Sequence, residues 1–220
     1  MRNVASLVFV TLLAPAAFAQ GTPAAPAPAR SKPAPRPATP STNLPPIDLT
    51  VIAEKCKPIA KQAGVANLGQ ALTARISLAS CLADANTAKL ELLDCAESVR
   101  ELEVAVTPSF ELLDGVIAAG DPAQAILAEH AKGELFTSLA VRMLATIPPA
   151  AADQASVALR ETRKEVLDAY LEPFRTKALA SFERVIELAK ANPKLGKHQR
   201  VQAALKASRQ HVAQKVATAS

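Results

Sequence analysis

The chain has no tryptophan, one tyrosine and six phenylalanines in 220 residues, so aromatic side chains make up only 3% of it. Sheet-rich domains draw on aromatic and β-branched residues and turn on many glycines; with seven glycines as well, a strand-based architecture has neither its packing material nor its turns. The same scarcity of glycine removes the runs that cradle phosphate. The three cysteines form no C-x-x-C pair and the three histidines no H-E-x-x-H, which excludes the common signatures of thiol redox and zinc hydrolysis. No G-x-S-x-G or S-x-x-K motif marks an activated serine. After the first twenty residues no uncharged apolar run approaches the ~20 residues a membrane span requires.

What is present divides the chain into three. Arg2, the apolar run Val4 to Leu13 and the small-x-small triplet Ala17-Phe18-Ala19 have the order of a secretory signal, so residues 1–19 are expected to be removed and the protein to be exported, to a bacterial periplasm or beyond. Residues 20–46 hold nine of the seventeen prolines among Ala and Thr, a composition that buries too little to fold and reads as a disordered linker. Residues 47–220 are the candidate folded domain. The overall charge of +5 hides an asymmetry: 47–189 carries −6, whereas 190–220 carries seven bases and no acid.

Helix punctuation dominates the domain. A first helix is expected from about Asp48 to Gln62, stopped by Gly64. Asn67 with Gln70 forms a capping box that opens a helix running, after Gly69 in its first turn, without Pro or Gly to Val106, and Thr107-Pro108 suits the start of another. Gly120-Asp121-Pro122 gives a stop, a cap and a first-turn proline, with Gln124 in place to complete a box. Further helices are expected from Ala150 to Leu171, from beyond Pro173 to Ala191, and from Lys197 to Ala217. Leu78, Leu82, Ala85, Leu92, Ala96, Val99 and Val106 form one stripe and Leu72, Ile76, Ala79, Ala83, Leu90 and Leu93 a second. Two stripes require neighbours on two sides. The fold class is therefore all-α, with antiparallel helical hairpins stacked as a bundle or a short solenoid.

Between about 160 and 193, Ala178, Phe182, Val185 and Leu188, preceded by Leu167, Tyr170 and Pro173, resemble a tetratricopeptide (TPR) hairpin. That resemblance implies two helices meeting near Pro173, a TPR-like solenoid and a tendency to bind protein.

Candidate chemistry is sparse. Cys81 and Cys95, in one continuous helix, would lie ~21 Å apart, too far for a disulfide. A Cys56–Cys81 bridge, with Cys95 left free, is the favoured pairing if the first two helices fold back on each other; three buried free thiols are the alternative. His130 and Glu134 share a helix face beside Glu129, but two ligands do not make a metal site. His198 and His211 belong to the basic end and read as solvated. There, Lys194, Lys197, Arg200, Lys206, Arg209 and Lys215 offer an anion-binding set, while Val201, Ala204, Leu205, Ser208, Val212 and Val216 form an apolar face. This segment either caps the bundle or seeks an anionic surface. The expectations are a non-catalytic, cofactor-free interaction or scaffolding module whose partner is another protein, with an anionic envelope surface as the alternative partner and an enzyme of unrecognised type as a further alternative. Nucleic acid is not expected, since no aromatics interleave with the bases.

Overall fold

The computed structural model describes residues 44–65, 67–151 and 153–218. The signal-sequence reading of 1–19, and all of the linker reading except residues 44–46, lie outside them. Six α-helices pack against one another, and no strand occurs among the described residues.

The first helix is shorter than its sequence suggests. Asp48 accepts from the backbone N–H and the hydroxyl of Thr50, a local turn that competes with helix. A 3-10 turn at Glu54–Cys56 then leads into α1, Lys57–Gln62, with Pro58 in its first turn. The second helix, α2, is Leu68–Thr87, and Asn67 caps it by accepting from the N–H of Gln70 at 3.0 Å. Its expected continuation to Val106 does not occur. The chain leaves the helix at Thr87, crosses 88–95 with Leu90 and Leu92 turned onto the core, and re-enters helix as α3, Ala96–Ala118. No Gly or Pro marks the break. Folding back lets α2 and α3 bury their stripes against each other, which a single rod of forty residues could not do.

Two prolines expected at helix boundaries lie inside helices instead. Pro108 sits within α3, and Pro173 within α5, Gln154–Ala191, a single helix of 38 residues or about 57 Å. Both prolines are exposed. The carbonyls four residues back, of Val104 and Ala169, lose a backbone donor on the side where water can replace it. The TPR-like hairpin at 160–193 is therefore not formed, because there is no turn at Pro173.

Between them, α4 spans Pro122–Leu144 and is capped by Asp121, which accepts from the N–H of Gln124 at 2.9 Å. The Gln124 side chain does not complete the box but accepts from the Thr73 hydroxyl of α2 at 3.3 Å. Asp153, three residues beyond the expected Ala150 start, caps α5. A 3-10 turn at Pro193–Lys197 precedes α6, Gln199–Thr218.

The largest core cluster joins α3, α4 and α5 through Leu102, Val106, Leu139, Met143, Leu167, Leu171 and Phe182, all at most 2% exposed. A second, around Leu72, Leu113, Val116 and Ala128, brings in α2, and a third packs Ile52, Cys56, Ala60 and Ala63 against Ala74, Leu78 and Leu82. Leu44 lies against the second cluster and the carbonyl of Pro45 accepts from Arg75, so the packed region begins slightly before Ile47. Alanines along α2 let its neighbours approach closely.

Candidate functional site

Cys56 and Cys81 are joined as a disulfide, holding the short α1 onto α2. A loop of 25 residues closed in this way restricts the unfolded chain by roughly 3.5 kcal/mol. The fold-back of α1 on α2 brings Cys56 to Cys81, and Arg75 on α2 donates to the carbonyl of Pro45. Cys95 is a free, half-buried thiol at the N-cap of α3, 3.6 Å from the Ser98 hydroxyl.

His130, Glu134 and Glu129 do not form one site. His130 and Glu134 face α6. The His130 Nδ1 lies 3.2 Å from the buried Ser208 hydroxyl, and its Nε2 is 3.8 Å from Glu134. His211 of α6 approaches the same Glu134 oxygen at 3.1 Å, so it is half-buried rather than solvated, its ring stacked on Phe182 at 4.3 Å. Burial pushes the His130 pKa below its ordinary value; neighbouring His211 pushes the same way and Glu134 opposes. Gly133 makes room for this arrangement, since a Cβ there would come within 2.4 Å of the Phe182 ring. Spaced 77 residues apart, His211 and Glu134 left no local pattern to find. Among the described residues no group of three or more His, Cys, Asp or Glu is arranged to hold a metal ion.

Glu129 points the other way, into a groove of about 650 Å³ between α3, α4 and α5. Phe110 and Phe136 stack in its wall at 4.2 Å, and Lys132, Lys177 and Arg184 line it with Glu103, Glu111 and Asp114. Burial is the main cause that raises the Glu129 pKa; Asp114 adds to it, whereas Lys132 and Arg184 oppose it. The cations are engaged: Lys132 bonds Asp114 at 2.7 Å and Lys177 bonds Glu103 at 2.9 Å. The groove is a seam whose cations are paired, while Glu111 forms no ion pair among the described residues.

Two other surfaces lack such internal partners. The N-terminal part of α5, residues 154–166, contains no buried residue and projects about 20 Å before Leu167 meets the core. Leu159, Val166 and Tyr170 are 58%, 52% and 46% exposed, and their spacings of seven and four place them on one face. Arg163 on that face reaches Asp94 at 3.5 Å, next in sequence to the exposed Leu93.

The second surface is the basic end. Val201, Ala204 and Ser208 are buried and pack α6 on α4 and α5, so this helix covers the end of the bundle. Its outer side and the turn before it bound a groove of about 640 Å³ with Leu195, Leu205, Ala189 and Ala213 as apolar lining and Lys206 and Arg209 at the rim. Of the six bases singled out above, Lys215 pairs with Glu172 at 3.5 Å. Lys194, Lys197, Arg200, Lys206 and Arg209 are exposed and form no ion pair among the described residues. No described helix is long and apolar enough to cross a membrane.

No family model, no curated protein and no solved structure matches this chain.

Proposed function

We propose that the chain is an exported, non-catalytic helical module of the bacterial cell envelope that binds or scaffolds another protein. One observation carries this reading: the projecting part of α5 presents Leu159, Val166 and Tyr170 as a stripe that none of the described residues buries. Three exposed apolar side chains along one helix face, interrupted by Arg163, suit a contact site on an otherwise packed helical body, and helix partners read residues at this spacing.

The test is affinity capture from the native host with the tagged chain and with a triple Leu159→Ser, Val166→Ser, Tyr170→Ser variant. The expected result is a discrete partner retained by the first and lost by the second. Identical recovery with both would remove the stripe from the function.

The five unpaired bases favour a second reading, association with an anionic envelope surface. It expects salt-sensitive binding to phosphatidylglycerol vesicles that weakens when Lys206 and Arg209 are changed to Gln. Binding insensitive to salt would end it.

A further inference from the structure

The outer faces of α3 and α6 carry opposite charge. On α3, Glu97, Glu101, Val104, Pro108 and Glu111 recur at the four-three spacing of one helix face, and all are exposed. Val104, in the middle, is 73% exposed. Glu101 and Glu111 form no ion pair among the described residues, and α3 as a whole carries five acids against the single base Arg100.

On α6, Gln202, Lys206, Arg209 and Ala213 follow the same spacing along the groove whose apolar lining includes Leu195 and Leu205. An acidic helix face with one central apolar residue is the complement of an apolar groove with a basic rim. The chain carries both halves, yet they do not meet within it. The buried residues of α3, among them Leu102, Val106 and Leu113, face the core from the opposite side of that helix, and α3 and α6 do not form a packed pair.

We infer that the acidic stripe of α3 in one copy seats in the basic-rimmed α5–α6 groove of another, so that the protein self-assembles through α3–α6 contacts. Glu101 and Glu111, about 15 Å apart along α3, reach toward the closer-set Lys206 and Arg209 from either side, and Val104 between them covers the apolar lining. This deepens, and rests on, the scaffolding reading: a contact between two different patches propagates into a ring or an open chain unless both form about a two-fold axis. Such an array would repeat the α5 stripe along its length.

The experiment is sedimentation velocity of the full chain over a dilution series at low and high salt. Wild type is expected to sediment faster as concentration rises at low salt and to revert to monomer as salt screens the contact. Lys206→Glu with Arg209→Glu, and separately Glu101→Lys with Glu111→Lys, are each expected to weaken association at least about tenfold. An equimolar mixture of these two variants is expected to restore it, because every mixed contact again sets acid against base. Circular dichroism checks that the variants keep wild-type helix content, and Gln at the same positions serves where charge reversal disturbs it.

A wild type that stays monomeric at every concentration and salt overturns the proposal, as does association that either variant leaves intact or a mixture that fails to restore it. Wild type that is monomeric in solution yet binds phosphatidylglycerol vesicles through Lys206 and Arg209 also overturns it and assigns the groove to an anionic surface. In each case the α5 capture experiment stands or falls separately, since its stripe is untouched.

Discussion

The two parts of α5 belong to one helix and live under different rules. From Leu167 onward it buries Leu167, Leu171, Phe174, Ala178, Ser181, Phe182 and Val185 against α3, α4 and α6. From Gln154 to Val166 it buries nothing. The packed part is helical because tertiary contacts hold it. The projecting part is helical because a turn added to an existing helix needs no new nucleus and because its first turn is capped by Asp153. Conformational order therefore extends about 20 Å beyond the apolar contacts that produce it, and this extension offers a surface without spending core on it.

The largest test of that contrast is a pair of truncations. Phe182→Ala removes a ring that is 2% exposed, fills the space over Gly133 and stacks on His211. It should cost about 3–5 kcal/mol in urea unfolding. Leu159→Ala, on the projecting part, should stay within about 0.5 kcal/mol of wild type. A large loss from Leu159→Ala would mean that the projecting part is packed after all.

The cap tests the projecting part alone. Asp153 accepts from the Ser156 N–H at 2.8 Å and from its hydroxyl at 2.6 Å, bonds that hold its carboxyl below the ordinary value. Asp153→Ala should cost the helix end about 1 kcal/mol. Hydrogen exchange at the first amides of α5 should accelerate while amides beyond Leu167 keep their protection. Acceleration along the whole helix would show that the two parts unfold as one unit.

The same division between local and distant causes decides what was legible in the amino-acid order. Asn67 and Asp121 act on an N–H three residues away, so their caps are readable without knowing the fold. The all-helical class follows from scarce aromatics and glycines, which no tertiary contact can supply. The break at 88–95 was not readable, because Leu90 and Leu92 leave the helix to reach a core assembled from α3, α4 and α5. Pro108 and Pro173 look like boundaries until the fold shows that each faces water. The Phe182, His211 and Glu134 cluster joins three helices, and only α6 docking makes His211 anything but one more residue of a basic tail. The unpaired state of Lys206 and Arg209 is likewise a property of the fold, although the concentration of bases there is plain in the chain.

Charge sharpens the contrast least in energy but most in sign. The packed part of α5 carries Arg184 into the groove that holds Glu129, whereas the charges of the projecting part, apart from the Arg163–Asp94 pair, face water. Burial raises the Glu129 pKa above 4.5, so the folded state keeps this proton to higher pH than the unfolded chain does. The stability contributed by the neutral carboxyl is complete below 4.5 and is lost as pH rises through the folded pKa. Once ionised, the buried carboxylate is a cost, softened by Lys132 and Arg184. Glu129→Gln should therefore stabilise the protein near neutral pH by up to about 1 kcal/mol, with the gain fading on acidification. His130 works oppositely: burial holds it below 6.5, so its contribution falls away as pH drops beneath that value. Urea midpoints of wild type, Glu129→Gln and His130→Gln between about pH 4 and pH 8 separate the two slopes. A Glu129→Gln variant equally or less stable than wild type at neutral pH would mean that the Lys132 and Arg184 charges outweigh burial, and that the seam between α3, α4 and α5 is held by its ion pairs more than by Phe110 and Phe136.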